Sequence, residues 1–431
     1  MNRSAEAAFL IGASALAAFG VAMANLAEGG GIDAQGALTF LVFIIAFGSR
    51  HFALRQWAPR ASVYLLPLAS IITAVGLTMV YRLDPERAGL QRWWLLIAAA
   101  FGVALLFTVR STGLEPLRRY RYLLLLGALI LLMAPLLPET WSLPLRGKTV
   151  NGSRLWVEFL AGPLGIRFQP GEIAKLLIVI FLASYLADRH VVLAAGTRAL
   201  GRVRLIEPRQ LVPVLVAWTA SFGVLVYQRD LGASLLLFAV FLTLLYMATG
   251  RAAYPAIGSF LFFIGAVFAW QSFSHVERRI VAWLRPFSDF EGAGYQIAQG
   301  LFAMGSGSLA GAGVGLGRPD LIPFAQTDFV FAAVGEELGL AGAVIVLCAY
   351  ALVSAVGFGI AIRSRDLFRK LLAAGLTFVL GLQTFLIIGG IVRILPLTGI
   401  TLPFMSYGGS SLVSNMILIA LLARLSHEEP A

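Results

Sequence analysis

The sequence has little cysteine, histidine or charge. Cys348 is the single cysteine among 431 residues, and it lies in an apolar run. One cysteine can form neither an intramolecular disulfide nor a multi-cysteine metal site, so we expect a small buried hydrophobe. The four histidines are scattered without the spacing of metal ligands. These two residue types therefore predict no disulfide framework and no metal site built from cysteine or histidine.

Charged residues make up only 13% of the chain, whereas 59% of it is hydrophobic and the mean hydropathy is +0.85. No stretch has the composition of a soluble domain, which is typical of a polytopic membrane protein. In a chain this apolar, the net charge of +11 indicates basic cytoplasmic loops and anionic lipids and not nucleic acid. We predict an all-α polytopic membrane protein with about twelve spans, at residues 7–27, 36–50, 61–82, 93–109, 122–138, 170–188, 210–227, 230–249, 253–273, 329–362, 367–392 and 402–424.

Lysine and arginine predict the orientation of these spans. If the N-terminus is cytoplasmic, the inner segments hold 19 basic residues and the outer segments hold 13. The excess is clear in the short loops, where the positive-inside rule applies best. Both termini are then cytoplasmic. The predicted organisation is an N-terminal extension with two spans, a membrane core with a large outer loop, and a short cytoplasmic tail, at residues 1–57, 58–425 (loop 273–328) and 426–431.

The outer loop 273–328 is long, polar and rich in glycine, and it ends at Asp328 as the next apolar run begins. Connections of this length are usually functional, and an acid at the mouth of a membrane helix is a candidate for function. Asp328 is therefore a candidate general base or metal ligand. The alternative is a helix N-cap, because aspartate at a helix start accepts backbone N–H bonds.

Other charges lie at the ends of spans. Lys175 is three residues from Glu172, so the two share a helix face and could pair. Alternatively, Lys175 could hold a phosphate or neutralise a catalytic acid. Glu336 and Glu337 follow Asp328 in the same predicted helix and need partners, which we expect to be a structural ion pair for at least one of them.

Three further segments carry weaker signals. The glycines between 305 and 317 could let backbone N–H groups approach an anion, but a re-entrant loop packed against helices is an equal interpretation. Arg229 and Asp230 lie in a tight outer turn, which could simply be solvated. The small residues of 402–411 favour close helix packing.

Taken together, these motifs resemble the SEDS family (shape, elongation, division and sporulation) of bacterial membrane proteins. The resemblance runs from about residue 61 to residue 424, and its ordered set of motifs is highly specific. The sequence of residues 383–404 resembles the rod-shape (elongation) branch more than the division branch. The chain departs from the family pattern at Gly171, Arg229, Ile387 and residues 323–326.

The resemblance implies a ten-helix core, to which 7–27 and 36–50 add two helices. It also implies a peptidoglycan glycosyltransferase that polymerises lipid II during cell-wall elongation and cell-shape maintenance in the bacterial plasma membrane, with an extracytoplasmic active site. The implied partners are a class B penicillin-binding protein (a transpeptidase) and other elongation-complex membrane proteins. For the cofactor, two alternatives stay open: none, or a divalent cation (Mg or Mn).

The essential acid implied by the resemblance is Asp328. We expect substrate contacts at Lys175, Glu172, Arg154, Arg229, Asp230, Tyr295, Gln296, Ser306, Glu336 and Glu337. Two other functions fit the same architecture. One is a lipid II flippase or transporter, although the candidate charges lie at outer ends of spans and not at the midplane. The other is a non-catalytic scaffold that activates a transpeptidase.

Overall fold

A computed structural model describes residues 2–31, 34–140, 145–150, 153–159, 166–195, 198–200, 203–205, 230–292 and 294–429, with isolated positions between 215 and 228. Nine helices in this part are long and apolar enough to cross a membrane. They confirm the all-α polytopic membrane class. They are α1 (Arg3–Ala27), α2 (Ala34–Trp57), α3 (Leu65–Leu83), α4 (Pro85–Thr112), α8 (Leu231–Thr249), α9 (Ala253–Ser272), α13 (Gly339–Arg363), α14 (Leu367–Ile391) and α15 (Gly409–Glu428).

The count of twelve spans is not confirmed. The apolar segment Arg121–Leu136, formed by α6 (Arg121–Met133) and a 3-10 turn, is shorter than a full span. The 25-residue α7 (Gly171–Ala195) carries acidic and basic residues along its length. The predicted span 210–227 lies almost entirely outside the described residues. Shorter helices connect these elements: α5 (Glu115–Arg119), α10 (Ser274–Leu284), α11 (Tyr295–Ser306) and α12 (Val330–Glu337).

The chain divides into two compact units that alternate along the sequence. The first comprises residues 1–110, 265–356 and 380–427. Its interior is built around α15, which is buried from Gly409 to Leu425. α1 packs against α2 and α3, and a Cβ on Gly20 would lie only 2.3 Å from Thr78 Oγ1. Small residues at this seam let the helices approach closely. Buried Arg50 of α2 donates from Nη2 to the Met416 carbonyl at 2.9 Å.

The second unit comprises residues 111–264, 357–379 and 428–431. Here α7 packs on α6 and α8. A small antiparallel sheet in the order β1-β2-β3 precedes α7, where the sequence analysis predicted only an outer segment. Its strands are β1 (Leu145–Val150), β2 (Ser153–Phe159) and β3 (Ile166–Phe168), and a hairpin of β4 (Arg198–Leu200) and β5 (Val203–Leu205) follows α7.

Opposite charges on neighbouring strands stabilise the three-stranded sheet. Arg146 and Glu158 face each other across β1 and β2, and Arg146 Nη2 lies 2.8 Å from Glu158 Oε2. Arg167 of β3 contacts the same carboxylate at 3.4 Å. The hydrogen bond from Arg146 holds the pKa of Glu158 below its usual range, despite the opposing effect of burial.

Three local predictions were wrong. The predicted span 329–362 is interrupted, because α12 ends at Glu337 and α13 begins at Gly339, whose φ of 67° breaks the helix. Cys348 is exposed on α13 and not buried. The final helix begins at Gly409, seven residues after the predicted start at 402, and extends to Glu428 in the predicted tail. There, Ser426 Oγ accepts a hydrogen bond from the Ser62 amide at 2.7 Å.

Candidate active site

Asp328 ends a tight turn that immediately precedes α12. The Phe324 carbonyl accepts hydrogen bonds from the Thr327 amide at 3.0 Å and from the Asp328 amide at 3.3 Å. The helix begins at Val330, and its N-cap position is occupied by Phe329, which makes no side-chain capping bond. The helix-cap alternative for Asp328 is therefore wrong. The start of the helix therefore does not rely on a capping bond from this carboxylate.

Hydrogen bonds from other segments anchor the turn at three of its backbone carbonyls. Gln296 Nε2 donates to the Pro323 carbonyl at 2.7 Å, and the Tyr407 amide donates to the Gln326 carbonyl at 2.8 Å. Ser406 Oγ donates to the Thr327 carbonyl in a short hydrogen bond. The segment 402–411, which the sequence predicted to serve packing, therefore also fixes the backbone that carries the acid. Such anchoring holds a reactive group in position before substrate arrives.

A guanidinium group lies close to the acid. A Cβ built on Gly399 would be 3.7 Å from Arg279 Nη2 and 3.8 Å from Asp328 Oδ2, so both groups border the same small space. Arg279 Nη1 also donates to the Thr398 carbonyl at 3.2 Å. Arg279 was not among the predicted site residues. The one signal in the sequence was that Arg278 and Arg279 form a basic pair near the start of the long loop.

Asp328 is only partly exposed, and its surroundings alter its acidity. Burial raises the pKa of the Asp328 carboxyl to about 6, from an ordinary 3.8. A hydrogen bond with the Thr327 side chain and the charge of Arg279 act in the opposite direction and limit the rise. A carboxyl with a pKa near neutrality can exchange a proton in both directions near physiological pH, as a general base must.

The glycine-rich segment 305–317 serves the protein's own carboxylates. The Gly315 amide donates to Glu337 Oε2 at 3.0 Å, and the Arg318 amide donates to Glu336 Oε1 at 2.8 Å. Close backbone contact extends along the segment, because a Cβ on Gly307 would lie 2.0 Å from the Gly335 carbonyl oxygen. These contacts support the packed-loop interpretation and not the phosphate-binding one.

Glu337 has a cationic partner, as the sequence predicted for at least one of the two glutamates. Arg82 Nε lies 3.1 Å from Glu337 Oε1, and Arg82 Nη1 lies 3.0 Å from Glu28 Oε1 at the end of α1. Arg82 Nη2 also donates to the Gly317 carbonyl at 3.1 Å. The predicted substrate residues Glu336 and Glu337 are thus buried, and both carboxylates accept hydrogen bonds from backbone amides of the protein itself.

Two other predicted contacts lie on α11. Tyr295 begins this helix, and its ring packs edge-on against Phe290 with centroids 5.7 Å apart. Ser306 ends the helix and donates to the Ala303 carbonyl at 2.8 Å, a bond within its own helix. Only Gln296, of the three predicted residues on α11, has a hydrogen bond that leads to the Asp328 turn.

The remaining predicted residues belong to the second unit. Lys175 Nζ lies 2.7 Å from Glu172 Oε2, and both residues are buried, which confirms the predicted intrahelical pair. Arg154 is exposed on β2. Asp230 is the N-cap of α8, and its side chain accepts from the Ala233 amide at 2.9 Å. Arg229 lies outside the described residues.

Comparison with known proteins places these features in one family. The family described as "Cell cycle protein", whose name joins FtsW, RodA and SpoVE, matches residues 62–431. The chain belongs to this family. It is 43% identical to "Peptidoglycan glycosyltransferase RodA" of Mycobacterium bovis over 399 residues, which cover 90% of this chain and 82% of the relative. It is 30% identical to "Stage V sporulation protein E" of Bacillus subtilis over 373 residues, which cover 84% of this chain and 96% of the relative.

Solved structures show the same fold. One, described as "Structural coordination of polymerization and crosslinking by a peptidoglycan synthase complex", matches with a TM-score of 0.66 and 25% identity and covers 86% of this chain and 98% of that chain. The crystal structure of the rod shape determining protein RodA of Thermus thermophilus matches with a TM-score of 0.55 and 26% identity and covers 86% of this chain and 97% of that chain. The match to the family begins after α1 and α2, so these two helices precede the part that the family model describes.

Proposed function

We propose that this chain is a peptidoglycan glycosyltransferase that polymerises lipid II during cell-wall elongation, with Asp328 as its general base. The rod-shape relatives that carry this activity in their names are similar over nine-tenths of the chain. The observation that carries the assignment of Asp328 is its setting. It is a partly exposed acid that caps no helix, in a turn anchored by Gln296, Ser406 and Tyr407, with a pKa near 6.

The reaction joins two lipid-linked sugars. The Asp328 carboxylate takes the proton from the 4-hydroxyl of the acceptor sugar as that oxygen attacks the anomeric carbon of the donor. The bond between the anomeric carbon and the diphosphate breaks, and the electron pair leaves with the diphosphate. Attack from the face opposite the leaving group inverts an α-linked donor to a β-linked product. General-base catalysis of this kind typically contributes ~10²–10⁴-fold to the rate.

Arg279 has two consequences for this chemistry. Its positive charge lowers the cost of ionising Asp328 in a partly buried place, so the base is available at neutral pH. Once the carboxylate has accepted the proton, the charge of the guanidinium can stabilise negative charge developing on the reacting groups. Arg154, Arg229 and Lys175 remain candidates for the diphosphate. Of these, Lys175 has its charge offset by Glu172.

A divalent cation on Asp328 is the alternative to the base role. The described part of the chain contains no group of three histidine, cysteine, aspartate or glutamate side chains placed to hold a metal ion. The neighbour of Asp328 is instead a guanidinium group. This donor set fits a protein-held divalent cation poorly, so no step above passes through a metal.

The orientation and the partner belong to the same proposal. The excess of basic residues in the inner loops supports cytoplasmic termini and an active site at the outer membrane surface. One of the matching structures is described as a peptidoglycan synthase complex that coordinates polymerization and crosslinking. A class B penicillin-binding protein, which performs crosslinking, is therefore the partner we propose.

The test is polymerisation of lipid II by the purified protein, read as glycan strands on gels with and without the partner. Asp328→Asn keeps the size of the side chain but removes the base, and we expect polymer to fall by at least ~100-fold. Asp320→Asn is the matched control, because Asp320 is an exposed acid in the same loop, 3.5 Å from Arg318. It should polymerise at the wild-type rate.

The other functions predict different results in the same preparation. Full polymerisation by a folded Asp328→Asn protein would reject the base. Loss of activity with chelator, restored by Mg²⁺ or Mn²⁺, would favour the metal role. Translocation of fluorescent lipid II in liposomes without strand formation would identify a flippase, and wall synthesis supported by Asp328→Ala in cells would indicate a scaffold.

A further inference from the structure

Phe324 has an unusual backbone conformation. Its φ is 55°, in the left-handed region, which a bulky residue with a Cβ rarely occupies. Phe404 has a similar φ of 65°, but its ring is buried, so packing explains why a large residue is there. The Phe324 side chain is 54% exposed, and packing offers no such explanation.

The surrounding structure holds this conformation in place. The carbonyls of Pro323, Gln326 and Thr327 each accept a hydrogen bond from another segment. The Phe324 carbonyl accepts the amide of Asp328. Unfavourable backbone conformations persist where the surroundings over-determine them, and they cluster at ligand sites. Glycine would adopt this φ without strain, so the fold alone does not account for a phenylalanine.

We propose that Phe324 is a specificity-determining residue that stacks its ring on the apolar C–H face of the acceptor sugar. This rests on the proposed function, because the acceptor is the sugar whose hydroxyl Asp328 deprotonates. Phe324 and Asp328 belong to the same turn, which is closed by the hydrogen bond from the Asp328 amide to the Phe324 carbonyl. An aromatic ring supplies a rigid apolar surface with few rotatable bonds, which suits a sugar ring held at a fixed distance from a base.

The experiment measures the kinetics of lipid II polymerisation by Phe324→Trp, Phe324→Leu and Phe324→Gly. Trp keeps an aromatic face and should retain KM within about twofold, whereas Leu should raise KM by roughly 5–10-fold with kcat little changed. Gly should raise KM at least as much, while thermal unfolding stays unchanged or moves upward, because glycine relieves the left-handed strain. Phe302→Leu is the matched control, since Phe302 is an equally exposed phenylalanine in the same long loop, at 52%.

Wild-type KM in the Gly variant would overturn the proposal, because the residue would then act through neither its ring nor its backbone. An equal rise in KM for Phe302→Leu would attribute the effect to the loop in general. A rise in KM in liposomes that disappears in detergent micelles would identify a contact with the lipid bilayer instead of a sugar contact.

Binding supplies a readout that does not depend on turnover. Fluorescent lipid II is titrated into Asp328→Asn protein with and without Phe324→Gly, and we expect the second change to weaken binding by roughly 5–10-fold. Equal binding by the two proteins would reject the sugar contact. The base is tested separately, since polymerisation by Asp328→Asn would refute its role in catalysis while leaving the binding comparison intact.

Discussion

The pKa of Asp328 predicts how the reaction rate depends on pH. A general base works only when ionised, so kcat/KM should rise with pH to a plateau, with its midpoint near the pKa of about 6. At pH 5, a carboxyl with this pKa is about 9% ionised, whereas one with an ordinary pKa of 3.8 is about 94% ionised. Moving the pKa this far corresponds to about 3 kcal/mol against the ionised form. The expected rate at pH 5 is therefore about a tenth of the plateau.

Arg279 offers a second perturbation of the same group. Its charge lowers the pKa of Asp328, so Arg279→Gln should move the midpoint of the pH–rate profile to higher pH. Arg279→Lys keeps the charge and should leave the midpoint close to the wild-type position. The Gln variant therefore loses most activity at low pH and recovers part of it as the pH rises. A variant that had only lost structure would be impaired equally at every pH.

The assay is lipid II polymerisation at subsaturating substrate from pH 4.5 to pH 8.5 at constant ionic strength. Unfolding must be excluded as the cause of a lower rate at low pH, and the direction in which protonation of Asp328 changes stability helps to exclude it. The folded-state pKa of Asp328 is raised, so its protonated form favours the fold, and this contribution is lost as pH rises through 6. Acidification therefore does not destabilise the protein through Asp328. A rate that stays close to its plateau down to pH 4.5, or a midpoint that Arg279→Gln does not move, would refute the reasoning.

Three further predictions concern stability, measured by thermal unfolding in detergent. Lys175→Met removes the cation that lies 2.7 Å from buried Glu172 and should cost about 3–5 kcal/mol, most of which Glu172→Gln should recover in the double variant. Lost activity at unchanged stability would instead indicate a direct role for Lys175. Arg82→Met should cost a similar amount because it removes the cation beside the buried Glu337 carboxylate, and an unchanged melting temperature would contradict the ion pair. Gly307→Ala places a Cβ 2.0 Å from a backbone oxygen and should lower the free energy of unfolding by about 3 kcal/mol or more. Gly305→Ala is the control and should be neutral, because there is open space around its Cβ; equal effects of the two variants would contradict the close packing at Gly307.

Patterns that depend on composition and short-range spacing were sufficient for several conclusions. Hydrophobic runs predicted the membrane class, because a helix that crosses lipid must be apolar along its length. The three-residue spacing of Glu172 and Lys175 predicted their contact, because it places both side chains on one helix face. The motif around Asp328 predicted the acid of the proposed site, since few acidic residues interrupt apolar sequence, and its role in catalysis stays a prediction.

Features that depend on long-range contacts could not be predicted in this way. Arg279 lies 49 positions before Asp328, and no local pattern indicates that they border the same space. A glycine can allow either anion binding by its backbone amide or close contact between two backbone segments. Only the tertiary structure shows that the Gly315 amide donates to the Glu337 carboxylate. The break at Gly339 was missed because the residues on both sides are apolar, so the hydropathy profile continues across it.

The α1–α2 hairpin has a consequence for how this chain could lose or gain sequence during evolution. It precedes the family match at residue 62, yet Glu28 shares Arg82 with Glu337, and Arg50 supplies the hydrogen bond to the Met416 carbonyl. A gene shortened to the family core would expose the Gly20–Thr78 seam on its α3 side to lipid and leave that carbonyl without this donor. The hairpin is thus not freely removable, and a shorter descendant would need compensating substitutions on α3 and α15.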